Sequence, residues 1–106
     1  MEKSESGEGQ RLSSQERILE IIRRLEENHV SGLTNKELAV LVKTSEANIC
    51  RDMALFDRCE WVIRNVGGRW RLSPAFGGIA GRIMRSYQEA KLRLTEEEAK
   101  YASAMQ

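Results

Sequence analysis

The chain has 106 residues and a formal net charge of +1, with 41% hydrophobic and 31% charged residues. That length allows one domain whose core is about three helices and a hairpin, and the composition is that of a soluble globular or helical protein. The sequence has neither a run of ~18 apolar residues nor an apolar segment near its N-terminus, so no membrane span or secretory signal is expected. The expected location is cytoplasmic, or nuclear in a eukaryote.

Between Met1 and Leu12 no apolar residue is present to anchor the chain, and glutamate, serine and glycine dominate. Residues 1–12 are therefore expected to be a disordered tail. Ser13 with Glu16 makes a capping box, in which each side chain satisfies an amide of the other. Ile18, Ile21, Ile22 and Leu25 repeat at helical spacing, so a first helix is expected from about Ser14 to Asn28. The loop that follows holds the single histidine, His29. Thr34 with Glu37 is a second capping box, with Leu33 placed to staple it, and Leu38, Ala39, Leu41 and Val42 give the next helix an apolar face.

Lys43 and Thr44 interrupt that face, and Ser45 can cap a third helix over residues 45–59. Ile49, Met53 and Phe56 mark its buried side. At 100° per residue the opposite side carries Ala47, Arg51, Ala54 and Arg58, all within about 50° of its centre, flanked by Asn48 and Cys50. Small residues beside a protruding arginine let a helix approach another surface closely, and the DNA major groove suits such a face. An ordinary amphipathic helix with a solvated side has the same pattern.

From Trp61 to Leu72, two runs of β-type residues flank Gly67 and Gly68, which are free to take the positive φ of a hairpin turn. Alternation sends Trp70 and Leu72 to one face and Arg69 and Arg71 to the other, where the arginines are expected to project. Pro74 then suits the first turn of a new helix. Phe76, Ile79, Ala80, Ile83, Tyr87, Ala90 and Leu94 follow at helical spacing, and Gly77, Gly78 and Gly81 weaken its start. Those glycines either loosen a hinge or allow close helix approach. Thr95 with Glu98 makes a further capping box, so a separate last helix is expected over about Glu96 to Ala104.

Charge is unevenly spread. Residues 61–93 carry seven basic side chains against Glu89, whereas residues 11–60 carry eight basic against nine acidic. Cys50 and Cys59 stand nine residues apart on one expected helix, a rise of about 13.5 Å, too far for a disulfide. With one histidine there is no ligand set for zinc, and neither metal nor cofactor is expected. No nucleophile, base and orienter occur together, so an enzyme is not expected.

The stretch from Gly32 to Ser73 resembles the DNA-binding domain of IclR-type transcription regulators. Gly32-Leu33-Thr34, Ala39, Ile49, Arg51, Ala54, Trp61-Val62 and Gly68-Arg69-Trp70-Arg71-Leu72 carry the resemblance, which extends over roughly residues 13 to 74. It departs at Lys43, where helix-turn-helix motifs usually have glycine, and at Asp52, where the family usually has a buried leucine. Asp52 would need a partner such as an arginine of a neighbouring helix.

The resemblance implies a mainly α fold with a small β-hairpin: a winged helix-turn-helix over residues 13–73, extended by helices in residues 74–106. A one- or two-residue strand at Leu33 often pairs with the wing in such domains. It also implies binding of double-stranded DNA and a homodimer, here expected through residues 76–105. The effector-binding domain of those regulators is not expected, because the chain stops before one could begin.

Within that frame, Arg51 is the candidate for guanine O6 and N7, Asn48 for adenine, and Ala47 for a thymine methyl. Thr44 and Ser45 are placed for phosphate. Arg64, Arg69 and Arg71 are candidates for backbone or minor groove, with Arg58, Lys43 and Lys36 weaker. Glu46 and Asp52 repel phosphate. The rival expectation is a winged helix that binds protein, for which an apolar outer face of the hairpin would be the sign.

Overall fold

Three helix starts are set by side chains at the expected positions. In the computed structural model, which describes residues 11–106, Ser13 Oγ accepts from the Glu16 amide at 3.1 Å and Glu16 Oε1 accepts from the Ser13 amide at 2.9 Å. This box opens α1, Ser14–Glu27. Thr34 and Glu37 make the same reciprocal pair, at 3.1 and 3.0 Å, and open α2, Asn35–Val42. Ser45 accepts from the Asn48 amide and opens α3, Glu46–Arg58. Each cap satisfies donors that a helix start leaves without partners. The expected tail falls almost wholly on residues 1–10, which lie outside the described residues.

The inward faces are those that periodicity picks out. Ile21, Leu25, Leu38, Ile49 and Met53 are fully buried, and Val42, Phe56, Val62, Trp70 and Leu72 close the core around them. Fully burying an aliphatic side chain of this size contributes about 1.5–3 kcal/mol. α1 packs on α2, and α2 on α3.

Both α2 and α3 end in a left-handed residue that is not glycine. Lys43 has φ 60° and Glu60 has φ 63°. At the first, the Thr44 amide reaches Ala39 O at 3.0 Å and the Lys43 amide reaches Val40 O at 3.3 Å; at the second, Trp61 reaches Phe56 O and Glu60 reaches Asp57 O, both at 3.0 Å. These are Schellman closures, and the bonds they make offset the ~1 kcal/mol or more that a side chain loses in this conformation.

The hairpin is short. β1, Val62–Arg64, pairs antiparallel with β2, Trp70–Leu72, in a register that sets Arg64 opposite Trp70. Its turn differs from expectation: Gly68 alone of the two glycines takes positive φ, at 78°. Asn65 supplies the rest, its Oδ1 accepting from the amides of Gly67 at 2.9 Å and Arg69 at 3.0 Å. Leu33 adds a one-residue bridge to the other side of β2, exchanging both backbone bonds with Trp70 at 3.0 and 2.8 Å. Gly32 makes that approach possible. It has φ 77°, and a Cβ there would stand 2.7 Å from Trp70 O.

The chain divides into two units, the first ending at Pro74 and the second running from Ala75 to Gln106. The second is a single helix, α4, Pro74–Ala104, 31 residues long. The expected break at Thr95 does not occur. A Thr-x-x-Glu pattern caps a helix only where the chain arrives in extended backbone; with Leu92, Arg93 and Leu94 before it and no proline or glycine nearby, the hydrogen-bond ladder continues through Thr95. No residue of α4 is buried.

Candidate nucleic-acid interface

The outward face of α3 holds most of the expected base-reading residues. Ala47, Cys50, Arg51, Ala54 and Arg58 are exposed, and Asn48 is half-buried beside the turn from α2. Because Ile49, Met53 and Phe56 are drawn into the core, this opposite face cannot turn inward. A side-chain chain crosses it: Arg51 Nη2 donates to Asn48 Oδ1, and Asn48 Nδ2 donates to Thr44 Oγ1 at 2.9 Å. The amide of Asn48 is thereby oriented and the Arg51 guanidinium is held over the first turns of the helix. Ser45 is exposed at the cap, and Arg58 lies in the last turn, where its charge complements the helix dipole.

The hairpin arginines do something else. Alternation places Arg69 and Arg71 away from Trp70 and Leu72 as expected, but they do not project freely. Arg69 Nε donates to Ser31 O at 3.0 Å, and its Nη2 donates to Gly32 O at 3.2 Å and Glu37 Oε1 at 2.9 Å. Arg71 Nε donates to His29 O at 3.0 Å. Both guanidiniums thus bind the loop before α2. Arg64, opposite Trp70, lies with its Cζ 4.6 Å from the centroid of the Trp70 ring, a cation–π contact. Trp70 Nε1 in turn donates to Asn35 Oδ1 at 2.8 Å, and Asn35 Nδ2 contacts Cys50 Sγ at 3.5 Å. The hairpin, the start of α2 and the outer face of α3 are therefore joined through Asn35.

Glu37 carries two duties, capping α2 and pairing with Arg69. Its carboxyl titrates below the usual range, chiefly because it accepts from the Thr34 amide, with the Arg69 charge adding to this against a desolvation effect of opposite sign.

Sequence reasoning missed one cationic spot. A small cleft of about 40 Å³ beside the α2–α3 turn is bordered by Leu12, Val42, Thr44 and Asn48, with Arg11, Arg17 and Lys43 around it. Arg11 belongs to the stretch expected as tail, and nothing in its neighbours marks it. Arg17 is committed elsewhere: its Nε and Nη2 bind Asp52 Oδ2 and Oδ1 at 2.5 and 3.0 Å. That pair is the partner Asp52 requires, with side chains only 12% and 9% exposed. The Asp52 hydrogen bond raises the Arg17 pKa further above neutrality.

Cys50 and Cys59 are free thiols, both exposed. Among the described residues no three His, Cys, Asp or Glu side chains gather to hold a metal, and no helix is long and apolar enough to cross a membrane. No family model, curated protein or solved structure matches this chain. What the site can do rests on its own geometry: a cationic helix face of small side chains, polar groups at its N-terminus and an adjoining hairpin.

Proposed function

We propose that residues 13–73 form a winged helix-turn-helix that binds double-stranded DNA sequence-specifically, and that the protein is a small transcription regulator. The single observation that carries this is the outward face of α3, where Ala47, Ala54 and the exposed Arg51 form a close-approach surface with Asn48 fixed at its edge. Arg51 reads guanine, Asn48 adenine and Ala47 a thymine methyl. Thr44 and Ser45 take phosphate, joined by Lys43 and Arg11 at the cleft. Arg64, Arg69 and Arg71 form the wing; with Arg69 and Arg71 bound to backbone carbonyls, they shape its contact with the DNA backbone more than they reach for phosphate. Two copies pair through residues 76–105 to present two such surfaces.

A protein-binding role for the same fold has one observation in its favour. On the hairpin, Ile63 and Val66 are exposed while Arg69 and Arg71 are bound to carbonyls of the loop before α2. Such an apolar outer face would suit a protein partner.

Fluorescence anisotropy with random-sequence duplex DNA between about 50 and 200 mM salt separates the two roles. The DNA role predicts affinity that falls steeply with salt and a slope reduced by about one unit in Arg11→Ala or Lys43→Ala. Arg51→Ala should lose about 1–3 kcal/mol on a selected site. Absence of binding at 50 mM salt would overturn the DNA role and favour the protein partner.

A further inference from the structure

α4 is long, amphipathic and has no buried residue. At 100° per residue, Phe76, Ala80, Ile83, Tyr87, Ala90 and Leu94 fall within about 40° of one line, and Tyr101 and Met105 continue it past Glu98. Ile83 and Leu94 are 53% and 65% exposed on that line. Gly77, Gly78 and Gly81 lie off it, by about 100° or more. The stripe extends the helix length, about 46 Å.

From this face we infer that α4 pairs with α4 of a second copy in antiparallel direction, in the register that sets Ala80 against Tyr101 of the partner subunit. The inference rests on the pairing through residues 76–105 proposed above and adds its direction and register.

Three features select that direction. The first is size: antiparallel pairing sets small Ala80 against large Tyr101 and Tyr87 against Leu94, whereas a parallel pair stacks alanine on alanine at 80 and 90 and tyrosine on tyrosine at 87 and 101, leaving layers of unequal width. The second is Glu98, the one charge on the stripe. In a parallel pair it meets its own copy; in the antiparallel pair it lies opposite Ile83.

The third is charge along the helix. Residues 74–93 carry Arg82, Arg85, Lys91 and Arg93 against Glu89, a net +3, and residues 94–104 carry Glu96, Glu97 and Glu98 against Lys100, a net −2. Antiparallel pairing lays the basic part of each helix along the acidic part of the other and brings Glu97 near Arg82 on one flank. Parallel pairing sets like against like along the whole length. Lys91 meets its own copy near the dyad, where its flexible stem lets the ammonium reach outward to water.

Disulfide trapping in the full chain tests pairing and direction separately. Cys50 and Cys59, both exposed, are replaced by serine, and single cysteines are introduced. Ala90→Cys, close to the dyad, should oxidise to a covalent dimer. Ala80→Cys should stay monomeric, and Ala80→Cys/Tyr101→Cys should form a dimer. If Ala80→Cys cross-links as completely as Ala90→Cys, the helices are parallel and the direction is overturned. If Ala90→Cys does not cross-link and the unaltered chain sediments as a 12.1 kDa monomer, pairing itself is overturned. No arm of the experiment uses DNA, so its outcome stands apart from that of the binding assay.

Discussion

Each helix of the first unit opens at a side-chain cap and turns one face onto a neighbour, whereas α4 starts at a proline and keeps Ile83, Met84, Tyr87, Leu92 and Leu94 more than half exposed. The same kind of periodicity produces both. Periodicity defines which side of a helix is apolar; what covers it depends on elements distant in sequence or in another molecule. A single helix gains little from propensity alone. Spectroscopy can follow the two regions apart, because both tryptophans, Trp61 and Trp70, lie in the first unit and both tyrosines, Tyr87 and Tyr101, lie in α4.

The largest expected effect is at Gly32. Alanine there combines a positive φ with a Cβ 2.7 Å from a backbone oxygen, and neither Trp70 nor the bridge to Leu33 can yield without opening the sheet. Gly32→Ala should destabilise the first unit by about 4 kcal/mol in denaturant unfolding followed by tryptophan fluorescence. The α4 helicity measured at the same denaturant concentration should change far less. Coincident loss of both signals would show that the two regions fold as one.

Next in size is the Arg17–Asp52 pair. Asp52→Ala leaves a guanidinium in a site 12% exposed, and should lose about 3 kcal/mol. Replacing both partners, as Arg17→Met/Asp52→Leu, should recover most of that loss, because the pair's desolvation disappears with its attraction. If the double variant were as unstable as the single, the ion pair would be giving the first unit stability that apolar packing cannot replace.

How much of this was legible in the sequence follows from the range of each interaction. The boxes at Ser13 and Thr34 and the cap at Ser45 are patterns of four consecutive residues, and all three form. The core stripe of α3 and its outward face follow from periodicity alone. The Thr95 box failed because the same pattern inside a helix is merely two residues on one side. For Arg69 and Arg71 alternation gave the face but not the acceptors, which include the carbonyls of His29, Ser31 and Gly32; no side-chain pattern marks a carbonyl some forty residues earlier. For Asp52 the kind of partner was legible, but its identity awaited the fold, which brings Arg17 of α1 to it across 35 residues of sequence.

Acid should sharpen the contrast with a smaller effect. Glu37 is a carboxylate whose folded pKa is lowered, chiefly by the hydrogen bond from the Thr34 amide, so its contribution is fully present above the ordinary carboxylate range and is lost as pH falls through the folded value. Between about pH 5 and about pH 3, first-unit stability should fall more steeply in the unaltered chain than in Glu37→Gln. Equal slopes would mean that other groups govern the acid response.

The smallest effect compares one backbone question in the two regions. Glu60 is left-handed at the end of α3, so Glu60→Gly removes a strain of about 1 kcal/mol but gives the unfolded chain nearly as much extra freedom. The net should be a stabilisation of only a few tenths of a kcal/mol, read as a slightly higher tryptophan-monitored midpoint. In α4 the terms do not oppose. A Cβ at Gly81 meets nothing within 4 Å, and alanine both prefers the helix and narrows the unfolded ensemble, so Gly81→Ala should stabilise α4 by about 0.8 kcal/mol in far-UV melting. Because Gly81 lies off the apolar stripe, the gain should appear without weakening association. A Gly81→Ala variant that lost association would mean that the second helix crosses at the glycines, and the proposed register would have to shift toward them.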